Sequence, residues 1–122
     1  MKILIIDDSK VMRAIVKRTL RQAGFGGHET HEAANGTEGL EAIGTFVPDL
    51  VLCDWNMPQM NGIELLKALR GKGDETPFGF VTSEGTPEMK QGAFDAGAKF
   101  LIVKPFTADD FEQQLGVFLA AA

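Results

Sequence analysis

The chain predicts an α/β fold: a five-stranded parallel sheet, doubly wound in a (βα)5 order, with helices on both faces. Two patterns carry that expectation. Short, wholly apolar runs occur at residues 3–6, 50–53, 78–81 and 100–103, and uninterrupted apolar runs of this length suit parallel strands buried on both faces. Between them lie apolar stripes at helical spacing: Met12, Ile15, Leu20 and Ala23, then Ile63, Leu66 and Leu69, then Phe111, Leu115 and Phe118. Strand and helix patterns in alternation imply a parallel sheet with right-handed crossovers.

The elements come in order. The first run, Ile3–Ile6, leads to Ser9, a capping residue for the first helix, whose stripe is closed by Gly24. The second strand is the least visible, because residues 28–33 are mostly polar. It is assigned because the helical stretch 36–45 must be fed by something, and an edge strand tolerates polar residues. The third run is residues 50–53. The fourth is broken by Gly79 between two phenylalanines; glycine weakens a strand and often marks the close approach of another group. Thr86 and then Pro87 start the next helix, since proline's fixed φ and missing N–H cost nothing there, and Gly97 suits its end. After the fifth run, Thr107 with Asp110 three residues on forms a capping-box pattern, and Asp109 and Asp110 favour a helix N-terminus.

The chain has 122 residues, 44% hydrophobic and 24% charged, which fits one domain, 1–122, with a proper core and no attached output domain. The formal net charge of −5 disfavours nucleic acid as a direct partner. The single cysteine, Cys53, lies in an apolar run and reads as a small buried hydrophobe of a reducing compartment. The N-terminal segment is too short and too weakly apolar for a signal peptide or a membrane span. A cytoplasmic protein with no membrane association is expected.

Ligand sites in open α/β sheets lie at the carboxyl ends of the strands, so the residues just past each strand matter most. The first strand runs into Asp7-Asp8, the third into Asp54, the fourth into Thr82-Ser83-Glu84 and the fifth into Lys104-Pro105. Carboxylates gathered in one cleft repel each other unless a cation is present. A hard divalent ion such as Mg²⁺ prefers such oxygen ligands. Asp8 and Asp54 are the expected direct ligands, with Asp7 assisting. An ionised aspartate can attack a phosphoryl group to give an acyl phosphate, and such transfer needs positioning and charge neutralisation more than covalent help. Lys104 offers a compact positive charge and Thr82 a hydroxyl. Each residue also has a plainer reading: Asp7-Asp8 as helix N-terminal charges, Asp54 as a loop residue, Lys104 as a solvated strand end. Their conjunction at one sheet edge favours the chemical reading.

At these residues the chain resembles the bacterial response-regulator receiver family. The resemblance rests on residues 5–9 (IIDDS), 54–62 (DWNMPQMNG), 81–84 (VTSE) and 103–106 (VKPF), and it covers essentially the whole chain. It implies the flavodoxin-like strand order 2-1-3-4-5. It also implies Asp54 as phosphoacceptor, Mg²⁺ held by Asp8, Asp54 and the backbone carbonyl of Asn56 with Asp7 in support, Thr82 and Lys104 on the phosphoryl group, and a cis Lys104–Pro105 bond. Asn56 and Glu84 sit where the family sets the lifetime of the acyl phosphate, and the stretch from Asp54 to Lys67 is similar to chemotaxis regulators. The implied protein is a monomer that catalyses only its own phosphorylation and dephosphorylation. Its implied partners are a histidine kinase or phosphotransfer domain and a downstream target such as a flagellar motor switch component. A phosphate sink, or a regulator of another kinase or adaptor, is the alternative within the family. One departure stands out. Leu101 occupies the position three before the lysine where the family usually has an aromatic residue, and the chain contains no tyrosine.

Other readings weigh less. An aspartyl-phosphate phosphohydrolase would need an Asp-x-Asp pattern after the first strand, where this chain has Asp7-Asp8. A flavin-type binding module would need a phosphate-cradling loop there, and two carboxylates would repel the phosphate. His28 and His31, three apart on the expected strand, point to opposite faces and read as surface residues rather than metal ligands. Lys10, Arg13, Lys17 and Arg21 line one face of the first helix, either as a solvated face or as a docking surface for a phosphodonor. Trp55, next to Asp54, is an expected fluorescence reporter of the pocket.

Overall fold

The computed structural model describes residues 1–119. Strands and helices alternate throughout: β1 (Lys2–Ile6), α1 (Lys10–Gln22), β2 (Glu29–Ala33), α2 (Gly36–Phe46), β3 (Leu50–Asp54), α3 (Gly62–Gly71), β4 (Phe78–Thr82), α4 (Pro87–Asp95), β5 (Phe100–Val103) and α5 (Ala108–Leu115). The strands form one sheet in the order β2-β1-β3-β4-β5, and every adjacent pair is parallel. The doubly wound α/β architecture and its strand order are those expected.

Local chemistry explains where the helices start. The Ser9 hydroxyl accepts from the Met12 N–H at 3.1 Å, and Asn35 caps α2 through the Glu38 N–H at 2.8 Å. Capping boxes pair Asn61 with Glu64 and Thr107 with Asp110. Thr86 caps α4, with Pro87 in its first turn. Gly24 and Gly97 lie just past their helices with φ of +94° and +105°, the left-handed conformation that a helix end needs and glycine adopts most readily.

The alternating side chains of the strands feed two cores, one on each face. Leu4, Ile6, Val51, Phe78 and Phe80 pack under α2, α3 and α4, against Ile43, Leu65, Leu66, Leu69 and Ala93. Ile3, Ile5, Leu50, Leu52, Phe100 and Ile102 pack under α1 and α5, against Val16, Leu20, Phe111 and Leu115. At about 25 cal/mol per Å² of apolar surface removed from water, these two layers supply the main drive to fold.

Three details refine the sequence reading. Helix α5 closes at Leu115, so Phe118 lies beyond it and reaches the same core from the next turn. Strand β2 begins at Glu29, leaving His28 before the strand, where its Nδ1 lies 3.1 Å from the N-terminal amine. Gly79 has a definite cause: it pairs with Phe100 in the sheet, and a Cβ there would run into the Phe100 ring. The gap in β4 is filled by that ring. Among the described residues, no helix is long and apolar enough to cross a membrane.

Candidate functional site

Strand register brings the chemistry-bearing residues together. Ile6 pairs with Cys53, Asp54 with Val81 and Thr82 with Val103. Asp7, Asp54, Thr82 and Lys104 therefore emerge from neighbouring strands at the same carboxyl edge. The winding reverses beside β1, which lies between β2 and β3, and open α/β sheets leave a crevice at such a point.

Asp7, Asp8 and Asp54 each offer a carboxylate oxygen, and these atoms all lie within 4.8 Å of one another. Asp7 and Asp54 are buried and Asp8 is exposed. The Lys104 ammonium stands 3.4 Å from both Asp7 Oδ2 and Asp54 Oδ1. Burial, above all, raises the pKa of Asp54 above the usual carboxylate value; the charge of Asp7 adds to this, while Lys104 and the Trp55 backbone N–H oppose it. Asp7 is raised by burial too, against the Ser9 backbone N–H and Lys104. Two buried carboxylates share one ammonium, so the pocket carries unbalanced negative charge. An all-oxygen donor set with that imbalance fits a hard divalent cation.

Asp7 is held at every acceptor. Its Oδ1 accepts from the Ser9 N–H at 2.9 Å and its Oδ2 faces Lys104. Its backbone carbonyl accepts from Arg13 Nη1 at 2.6 Å. Asp8 is exposed to solvent. Thr82 is fully buried, and its hydroxyl accepts from the Glu84 N–H at 3.2 Å. Asn56 and Glu84 are exposed at the rim. The Lys104–Pro105 bond is cis. Leu101 is buried on the face that carries Phe80, while Phe100 packs on the other. Trp55 is partly buried against Phe80, ring centroids 4.7 Å apart.

Two residues of the pocket lie outside the set that the sequence predicts for it. Gly62 lies so close to the Asp54 carbonyl and the Phe80 ring that a Cβ would collide with both. Its N–H donates to the Trp55 carbonyl at 2.8 Å. Arg13 belongs by spacing to a basic helix face, yet its side chain is mostly buried and Nε binds Glu32 at 2.9 Å. The available signal is its place on the first helical turn, four residues after the Ser9 cap, which turns it back over the strand end.

The model of the response regulator receiver domain family matches residues 3–116. Chemotaxis protein CheY1 of Helicobacter pylori is 39% identical over 122 residues, covering 98% of this chain and 97% of that protein. Chemotaxis protein CheY-3 of Vibrio cholerae is 43% identical over 117 residues, covering 94% and 88%. Among solved structures, Vibrio cholerae chemotaxis protein CheY4 superposes with a TM-score of 0.84 at 37% identity, covering 97% of this chain and 98% of that one. The receiver domain of the Francisella response regulator 1452 does so with a TM-score of 0.85 at 30% identity, covering 96% and 94%. Fold and strand order agree with these relatives: the chain belongs to the response regulator receiver domain family.

Proposed function

We infer that this chain is a cytoplasmic phosphorylation switch that receives a phosphoryl group on Asp54 from a histidine kinase or phosphotransfer domain and thereby changes which protein it binds. The observation that carries the reading is the set of Asp7, Asp8 and Asp54 oxygens within 4.8 Å of one another with Lys104 at 3.4 Å from two of them. The Asp54 carboxylate supplies the nucleophilic oxygen: its bond to phosphorus forms as the donor's bond to phosphorus breaks, and the donor leaves with its electron pair. Asp8, Asp54 and the Asn56 carbonyl would hold Mg²⁺, whose contribution is to draw charge from the phosphoryl oxygens. Lys104 neutralises a further oxygen, and the Thr82 hydroxyl, whose oxygen accepts from the Glu84 N–H, donates its proton to a phosphoryl oxygen. The rim residues Asn56 and Glu84 control access of water to the acyl phosphate.

The Helicobacter and Vibrio relatives are chemotaxis proteins, and the segment from Asp54 onward resembles chemotaxis regulators, so a flagellar motor switch component is the proposed target. An open, mostly apolar groove lined by Met12, Ile15, Pro105 and Phe106 adjoins Lys104 and suits the docking of the donor domain. The test is transfer of a labelled phosphoryl group from a histidine-phosphorylated phosphotransfer domain. Label should move to the wild type in the presence of Mg²⁺ and not to Asp54→Asn; label reaching both proteins alike would refute the assignment.

A further inference from the structure

Arg13 joins three elements at the pocket. It is carried by the first turn of α1, where its own N–H closes on the Ser9 carbonyl at 3.0 Å. Its Nη1 donates to the Asp7 carbonyl at 2.6 Å, and its Nε donates to Glu32 Oε1 on the edge strand β2 at 2.9 Å. Strand β2 also holds the other side of the same residue, because the Asp7 N–H donates to the Ala33 carbonyl at 3.1 Å. The Asp7 backbone is thus referenced twice to β2, once directly and once through the guanidinium.

The carbonyl that Arg13 holds belongs to the peptide linking Asp7 to Asp8. A peptide unit is planar, so fixing its oxygen fixes the plane from which the Asp8 Cα, and with it the Asp8 carboxylate, projects. Asp8 is exposed and lies on no strand, so it depends on that plane for its aim. Arginine suits the post: its rigid planar fork holds two partners in fixed directions at once, whereas a lysine ammonium has three donors but sits as a compact charge on a flexible stem.

We propose that Arg13 is a positioning residue of the carboxylate pocket, which, braced by Glu32, orients the Asp7–Asp8 peptide and so sets the pocket's affinity for a divalent cation. The inference rests on the reading of Asp7, Asp8 and Asp54 as a Mg²⁺ site. It makes a prediction opposite in sign to simple electrostatics. A positive charge beside a cation site repels the cation, so deleting it would tighten binding if charge were all that mattered; loss of a positioning contact weakens binding.

The experiment is a Mg²⁺ titration monitored by Trp55 fluorescence, on wild type, Arg13→Lys, Arg13→Met, Glu32→Gln and, as a charge control on an exposed site of the same helix, Arg18→Met. Thermal melts without Mg²⁺ establish that each variant is folded at the assay temperature. Both Arg13 variants should bind Mg²⁺ about tenfold more weakly, in the range typical of contacts that orient metal ligands. Glu32→Gln should weaken it less, and Arg18→Met should leave it unchanged or slightly tighter. If Arg13→Met fails to fold, Arg13→Lys, which keeps the charge and the stem, carries the test alone. Folded Arg13 variants that bind as tightly as wild type, or more tightly, would overturn the inference while leaving the Mg²⁺ reading intact. A wild type that does not bind Mg²⁺ would overturn that reading, and the role of Arg13 with it.

Discussion

Asp54 is the residue on which the proposed chemistry turns, and its environment works against its own charge at neutral pH. Its pKa is raised, first by burial and then by Asp7. For a group whose folded-state pKa is raised, the favourable contribution to folding is fully present below the unfolded value and is lost as pH rises through the folded value. Near neutral pH, without a cation, ionised Asp54 therefore lowers stability. Asp54→Asn should raise the melting temperature at pH 7 in chelator-treated protein, and the advantage should shrink as the pH approaches the ordinary aspartate value of 3.8. An unchanged or lower melting temperature for Asp54→Asn at pH 7 would show that Lys104 outweighs burial. The carboxylates, Thr82 and Lys104 are legible in the sequence because they sit at or just past the ends of apolar runs. Arg13 is not, because a helix face read from spacing alone does not reveal that one member folds back onto a strand-end carbonyl.

At the scale of elements, the strands buried on both faces are legible from their apolar runs, and Ser9, Thr86 and Thr107 mark the starts of α1, α4 and α5. Strand β2 is legible only through the need to feed α2. Its polarity has a physical reason: it is an edge strand on which Ala33 alone is buried, and its Glu32 is engaged with Arg13 and Lys17. Gly79 shows what a sequence cannot state by itself. It signals a close approach, but the approaching group, Phe100, is apparent only once β4 and β5 are paired. Forcing a side chain into a packed core costs roughly 1–3 kcal/mol, so Gly79→Ala should destabilise by about that amount in chemical denaturation. Adding Phe100→Leu, which removes the ring, should recover part of the loss. Strictly additive effects would rule out the contact as the cause, since residues in direct contact couple.

For the whole molecule, the sheet serves as a rigid base that presents one edge. Parallel pairing with matched register sets four strand ends side by side, and the two cores on either face fix them there. Signalling then requires a change at that edge to bias a surface elsewhere, which is a shift between conformations of differing partner affinity. The proposed link runs from Asp54 through Thr82 to the face of α4, β5 and α5. Leu101 is already buried on the α4 side and carries no ring that could turn, so the proposed link runs through the β4–α4 loop. Gly85 in that loop packs so closely on Val103 that a Cβ would sit 2.5 Å from its Cγ2, so movement of the loop is felt directly on the exposed side of β5.

The central claim, that Asp54 takes up a phosphoryl group with the help of a divalent cation, is tested most directly by intact mass after exposure to a small phosphodonor, with peptide mapping of the product. The expected result is a gain of one phosphoryl group, located on Asp54, that appears with Mg²⁺ and disappears when the ion is chelated. Uptake that is indifferent to Mg²⁺, uptake at another residue, or no uptake would contradict it.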